Sequence, residues 1–285
     1  MDSKPLYFKS NTNHFETAKK NGSAHPVAFQ EILEISKPYN PLISIIIPVY
    51  QEEKIIENTL KLFSSDLRKK FNLELIVSDG GSSDSTVEIA EKYADFVVRY
   101  NKQRRQTISE GRNLGAKAAK GKFLVFMNAD TIPKNIEEFL SVIYKYALGE
   151  SHYSNYPALT CAVEAYPWEA KLKEKLFYRV HNLYVKLLNT INLGMGRGEC
   201  HIVKADVFFL VGGYNPTIAA GEDFDLYRRI AKIGRIGFVK EIIVYESPRR
   251  FRKHGYIKIV FYWLINAISV MMRGKSVSEH WEAVR

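Results

Sequence analysis

The feature that most limits what this chain can fold into is a rhythm between residues 42 and 131. Apolar runs of strand length alternate with helical segments there, and three of the runs stop at a polar, acid-bearing loop. Leu42-Ile43-Ser44-Ile45-Ile46-Ile47-Pro48-Val49-Tyr50 is β-branched and reads as a buried strand. Gln51-Glu52-Glu53 opens a helix with its acids first, and Ile55, Ile56, Leu60 and Phe63 give it one apolar stripe. Residues 73–77 form a second strand, 86–93 a helix, 96–98 a short strand and 106–120 a helix. In that last helix Gly111, Gly115, Ala118 and Ala119 allow close approach to a sheet. Residues 123–127 form the fourth strand and end at Asn128-Ala129-Asp130. Such alternation means a Rossmann-like α/β fold, a mainly parallel sheet flanked by helices. Its acid-bearing loops at 50–52, 79–84 and 128–130 then share the carboxyl edge of the sheet, where ligands bind. Asp130 alone is equally readable as the cap of the following helix.

The regularity changes beyond Asp130. Helices are expected over 136–148 and, with a long amphipathic pattern, over 168–188; a strand is expected over 156–163. Gly194-Met195-Gly196-Arg197-Gly198 is a flexible link into a strand at 200–203 and a short helix to Val211. Gly212-Gly213-Tyr214 follows, and Glu222-Asp223-Phe224-Asp225 opens a helix to about residue 232. These acids suit a helix N-terminus as well as a site. Residues 1–41 read as an irregular arm with a short helix near 27–35. Residues 246–285 read as a basic, apolar helical tail, with no acid between Ser247 and Ser278. The apolar run at 259–272 falls short of the ~20 residues of a comfortable span, so a buried helix or an interfacial membrane helix fits it.

The formal net charge of +10 favours an anionic partner: a nucleotide diphosphate, a nucleic acid or a membrane surface. Cys161 and Cys200 form no CxxC pair, which points to a reducing compartment, and the polar N-terminus lacks the apolar core of a signal peptide. A cytoplasmic location is expected. The chain has no GxxxxGK[ST], no GxSxG, no HExxH and no GxGxxG after the first strand. What remains is two separated acidic clusters, Asp79 with Asp130 and Glu222 with Asp223, plus arginines.

Six segments in order resemble the GT-A fold family 2 glycosyltransferases: Pro48-Val49-Tyr50-Gln51-Glu52, Asp79-Gly80-Gly81-Ser82-Ser83-Asp84, Gly111-Arg112-Asn113, Asn128-Ala129-Asp130, Gly212-Gly213-Tyr214 and Gly221-Glu222-Asp223. The resemblance covers about residues 42–240. It implies a catalytic domain over 42–245, with a nucleotide-binding half at 42–131 and an acceptor half at 132–245. It implies a UDP- or GDP-sugar donor held by Pro48, Tyr50, Glu52, Asp79, Arg112, Asn128 and Asp130. Asp130 would ligate Mg²⁺ or Mn²⁺, although Asn128 stands where the family has a first carboxylate. Asp223 would be the catalytic base of an inverting transfer, with Glu222 orienting it or binding the acceptor. Arg197, Arg249 and Arg250 would contact the acceptor or close as a lid, and His201 is a weaker candidate third ligand. The expected acceptor is a hydroxyl on a glycan or lipid-linked glycan, with possible peripheral membrane contact through the tail. A polyprenyl phosphate acceptor, a nucleotidyltransferase and a nucleic-acid-binding protein are the alternatives; the absence of RRM, KH and zinc patterns disfavours the last.

Overall fold

The computed structural model describes residues 32–34, 40–101, 104 and 106–278. The strands are β1 (Ile32–Glu34), β2 (Ile43–Val49), β3 (Leu73–Asp79), β4 (Phe96–Arg99), β5 (Phe123–Met127), β6 (Ile132–Pro133), β7 (Ala158–Ala165), β8 (Cys200–Lys204) and β9 (Gly237–Glu246). They form one sheet in the order β1-β4-β3-β2-β5-β8-β7-β9-β6. β2 pairs parallel with β3 and β5, and β3 pairs parallel with β4, as the alternation requires. Beyond β5 the sheet is mixed. β8 runs antiparallel to both β5 and β7, and β9 runs parallel to β7.

The helices are α1 (Ile56–Lys61), α2 (Ser65–Lys70), α3 (Thr86–Tyr93), α4 (Ile108–Ala118), α5 (Ile136–Leu148), α6 (Leu172–Thr190), α7 (Ala205–Leu210), α8 (Glu222–Ala231), α9 (Arg249–His254) and α10 (Tyr256–Arg273). Alternation along β2 sorts them onto two faces. Ile43, Ile45, Ile47 and Val49 join a core with Ile56 and Leu60 of α1, Val87 of α3 and Phe139 of α5. Ile46 points the other way, into a core with Ala116 of α4, Phe208 of α7 and Leu226 and Tyr227 of α8. Each fully buried side chain of this size contributes about 1.5–3 kcal/mol, so a one-residue slip of β2 would forfeit both cores. α4 lies close on the sheet because Gly115 carries no side chain: a Cβ there would stand 2.4 Å from Ile46 Cγ2. A capping box between Thr107 and Glu110 starts α4.

Several expectations change. Ile32–Glu34 pairs with β4 as a strand, so the short helix near 27–35 is wrong at those residues; its remainder lies outside the described ones. β9 is a ten-residue strand that the apolar pattern does not announce. Lys240 and Glu241 interrupt its run, and its register with β7 shifts between Cys161 and Ala162. α6 has an unexpected place in the sheet. β8 accompanies β7 only at Ala158 and Leu159, which leaves the far half of that edge without a strand. Asn182 of α6 fills in: Val163 N–H donates to its Oδ1 at 3.1 Å, and its Nδ2 donates to Val163 O at 2.9 Å. The side-chain amide thus does the work of a neighbouring peptide.

The tail also differs from its reading as a run of 14. α10 has 18 residues because Tyr256, Ile257 and Lys258 extend it at one end and Arg273 at the other, and it is long and apolar enough to cross a membrane by length and composition. It is not a buried core helix: only Ile259, Asn266 and Val270 are buried.

Candidate active site at the carboxyl edge of the sheet

The end of β2 is shaped by register. β5 accompanies β2 only as far as Ile46, so Pro48, which has no N–H to give, sits beyond that pairing. Gly80 N–H donates to Val49 O at 2.8 Å. Gln51 takes a left-handed backbone (φ 54) and its N–H donates to Ser82 Oγ at 2.8 Å. Glu52 N–H donates to Thr86 Oγ1 at 2.8 Å. The loops after β2 and β3 are therefore sewn together, with Tyr50 and Glu52 partly exposed beside them. Asp79 is buried at the end of β3, and its carboxylate accepts from Gly81 N–H at 3.0 Å and Ser82 N–H at 3.1 Å. It holds its own loop in shape before it can meet any ligand.

Asn128-Ala129-Asp130 leaves β5 under three restraints. Thr131 N–H donates to Asn128 O, Thr59 of α1 donates to Ala129 O at 2.5 Å, and the Tyr166 hydroxyl donates to Asp130 O. Asp130 is not a helix cap: α5 is capped by Asn135, whose Oδ1 accepts from Glu138 N–H. Its Oδ2 instead meets Arg249 Nη2 at 3.0 Å. Burial raises the Asp130 carboxyl and the Arg249 charge opposes that shift, with Arg250 adding to it.

Arg112 of α4 ties this edge to the second acidic cluster. It is 1% exposed. Its Nη1 donates to Glu222 Oε1 at 2.9 Å, and its Nη2 donates to Asn128 Oδ1 at 3.1 Å and Gly198 O at 2.6 Å. The guanidinium also lies over the Tyr214 ring, 5.2 Å from its centroid. Arg112 was expected to face a donor directly; its fork is turned onto protein acceptors instead. Asn113 beside it makes two bonds to the Tyr214 backbone, which docks Gly212-Gly213-Tyr214 on α4. Gly213 fits there because a Cβ would stand 2.7 Å from Asn113 Oδ1.

Glu222 and Asp223 open α8 after Gly221, whose left-handed backbone (φ 88) turns the chain. Burial, then the neighbouring Glu222 charge, push the Asp223 carboxyl up to about 7. One of its oxygens accepts from Phe224 N–H at 2.8 Å. The structure thus gathers Asn128, Glu222 and Asp223 around the Arg112 guanidinium, with Asp130, paired to Arg249, following Asn128 in the same loop.

Two expectations fail here. Arg197 is 3% exposed and cannot act as a lid. Its guanidinium meets Glu199 at 3.2 Å, Glu246 at 3.4 Å and Asn182 at 3.5 Å. His201 lies within β8, bonded through Nδ1 to the Tyr214 hydroxyl at 2.6 Å and set between the Tyr214 and Tyr227 rings, so it is core rather than a ligand. Sequence reasoning missed Glu199 and Glu246. Burial would raise Glu199, but Arg197 overrides it and holds the carboxyl down to about 2. Burial and the Glu199 charge push Glu246 well up, so the pair shares a proton. Glu199 also acts on both Asp130 and Asp223. An acid one residue past a glycine-rich link, and another ending an unannounced strand, carry no signal in the sequence.

Among the described residues no three His, Cys, Asp or Glu side chains converge as a metal cage. Within Asn128-Ala129-Asp130 the one carboxylate that could meet a divalent cation is Asp130, itself paired with Arg249, while the Asn128 amide oxygen accepts from Arg112. One carboxylate suits a hard cation whose other ligands are phosphate oxygens and water.

Comparison with known proteins fits this layout. The chain is 26% identical over 221 residues to an uncharacterized glycosyltransferase of Rickettsia felis, covering 75% of this chain and 36% of that protein. It is 26% identical over 250 residues to the glycosyltransferase AglE of Haloferax volcanii, covering 81% of this chain and 77% of that one. The chain thus spans about a third of the first relative. Among solved structures, the mannosyltransferase PcManGT from Pyrobaculum calidifontis, in complex with GDP-Man and Mn²⁺, shares the fold at a TM-score of 0.62 and 19% identity, over 82% of this chain and 65% of that chain. TarS 1–349 of S. aureus with UDP-GlcNAc does so at 0.55 and 18%, over 83% and 68%. The architecture is GT-A. The sequence profile described as "Glycosyl transferase family 2" matches residues 44–201, more than half of the chain, and with the ordered edge just described it follows that the chain belongs to glycosyl transferase family 2.

Proposed function

We propose that this protein is an inverting glycosyltransferase that moves a sugar from a UDP- or GDP-sugar to a hydroxyl acceptor, a glycan or a lipid-linked glycan. The observation that carries the reading is the Arg112 guanidinium, which joins Asn128 at the end of β5 to Glu222 at the start of α8. A donor edge and a base edge, far apart in sequence, meet on one buried cation. Residues 42–131 form the nucleotide half and 132–245 the acceptor half. Pro48, Tyr50, Glu52 and Asp79 line the base and ribose side. PcManGT and TarS, solved with GDP-Man and UDP-GlcNAc, support that donor class.

Asp130 would hold Mg²⁺ or Mn²⁺, and the cation, when bound, would supply positive charge to the donor diphosphate. Arg249 and Arg250 stand beside Asp130 and offer further positive charge to the same phosphates. Arg112 positions Asn128 and Glu222. Asp223 Oδ takes the proton from the acceptor hydroxyl as that oxygen attacks the anomeric carbon, and Glu222 orients the acceptor. A base poised near neutrality favours a hydroxyl, because a phosphate acceptor arrives already ionised. Trp168, exposed and stacked on Tyr166 at 4.6 Å, offers its open face to the acceptor sugar. The enzyme works in the cytoplasm, with peripheral membrane contact through its tail.

Asp223→Asn should abolish transfer while a thermal-shift titration with nucleotide sugar and Mn²⁺ still reports donor binding. In the wild type, kcat/KM should fall as pH drops through about 7, because protonation removes the base. The same raised carboxyl lowers stability as pH rises from its ordinary range through 7, so the Asn variant should melt no lower than wild type at pH 8. Unimpaired turnover in Asp223→Asn overturns the assignment.

A further inference from the structure

α6 carries a second apolar face that the function above does not use. Leu172, Leu176, Val180, Leu183, Leu187 and Ile191 recur at helical spacing along its outer side, from Leu172 at 83% exposure to Ile191 at 56%. Its core-facing residues, Tyr178, His181 and Val185, lie opposite. α10 repeats the pattern, with Ile257, Val260, Phe261, Leu264, Ile268 and Met272 all exposed.

The two helices lie side by side. Phe177 packs on Tyr256 at 4.8 Å and His181 on Trp263 at 5.0 Å. Glu174, the one acid on α6, is fully buried in this seam and accepts from Tyr256 and Arg252. Burial, aided by the Arg197 charge, pushes His181 down to about 3 and keeps the seam neutral on that side. Single exposed leucines need no explanation, but two adjoining stripes along helices of 19 and 18 residues, each roughly 27 Å long, do. The exposed charged residues of the two helices themselves have one sign, although Glu164 of β7 lies beside the α6 cations. Lys173, Lys175, Arg179 and Lys186 flank α6, and Lys258, Arg273 and Lys275 flank α10, with no acid between Ser247 and Ser278.

We propose that α6 and α10 together form a docking face for an anionic lipid bilayer, with both apolar stripes in the headgroup region and the flanking cations on lipid phosphates. Charge complementarity selects this occupant: a second copy would set cations against cations, whereas an anionic leaflet meets them. The face begins four residues after Trp168, so docking brings the acceptor side of the site to the membrane surface. This deepens the tail contact proposed above, yet it stands on surfaces separate from the donor edge.

The test uses the full chain, co-sedimented with vesicles of phosphatidylcholine alone or mixed with phosphatidylglycerol. Wild type should partition onto the anionic vesicles, less so onto neutral ones, and should release in high salt. Leu176→Glu/Leu183→Glu on α6 and Ile257→Glu/Leu264→Glu on α10 should each weaken partitioning by about tenfold or more, with unchanged melting. Absence of binding to anionic vesicles overturns the proposal. So does an α6 variant that binds like wild type, which would leave the tail acting alone, or a wild-type dimer in sedimentation velocity that the α6 pair dissociates. A thermal shift with nucleotide sugar and Mn²⁺ separates the two readings. Donor binding lost while vesicle binding persists sinks the transferase assignment and supports the docking face; the reverse sinks the docking face alone.

Discussion

Burial gives carboxyl groups of the same type different states within a few ångströms in this protein. Glu199 is ionised because Arg197 lies against it, and Glu246 keeps a proton because Glu199 already carries the charge. Substitution should expose the difference. Glu246→Gln mimics the protonated acid and should cost under ~1 kcal/mol in a denaturant melt at pH 7. Glu199→Gln leaves Arg197 buried against a neutral partner and should cost about 3 kcal/mol. The reverse order of costs would mean that the proton sits on Glu199, and equal costs that the two share it evenly. The same scale shows how far the sequence can be read. The places of Asp130 just after β5 and of Asp223 at the start of α8 are legible because each follows a recognisable pattern at the end or start of an element. The protein contacts of Arg197 and Arg112 are not legible, because an arginine in a string of letters looks available; which arginines are spent on protein acceptors depends on segments such as Glu246 and Gly198 that meet only in space.

Among the elements, α6 is held as much by hydrogen bonds as by packing. Asn182 completes the edge of β7 by bonding both backbone groups of Val163, and it also accepts from Arg197. Asn182→Ala leaves a buried N–H and C=O without partners, so it should lower stability by about 2 kcal/mol, whereas neighbouring exposed Leu183→Ala should change it little. Comparing the two melts checks this. Helix bounds are well marked in the sequence for α3 and α5, which stand where their periodicity puts them, but not for α1, which starts at Ile56 rather than at Gln51 because Gln51 and Glu52 are tied by their N–H groups to Ser82 and Thr86 after β3. β9 is not marked either, because a strand that carries a bulge and charged residues loses the alternation that announces it. The partly parallel sheet has the same origin, since the rhythm that predicts parallel strands ends with β5 and antiparallel β8 follows a long helical excursion.

At the scale of the molecule, the donor edge and the apolar face share one short stretch of chain. Arg249 begins α9, the helix ends at His254, and only Gly255 separates it from α10. Arg249 occupies the Asp130 carboxylate that the proposed cation would need. Arg249→Ala should therefore tighten Mn²⁺ binding in the absence of donor, measured by titration calorimetry, by up to about tenfold. Unchanged or weaker binding would mean that the arginine does not compete with the metal. The contact also has a thermodynamic consequence. If cation loading and burial of α10 in lipid each loosened the Arg249–Asp130 pair, each would make the other easier by the same factor, because the free energy of a cycle closes whichever step comes first. The Arg249–Asp130 pair at 3.0 Å is then the contact through which the proposed surface attachment and substrate loading would act as reciprocal ligands of one equilibrium.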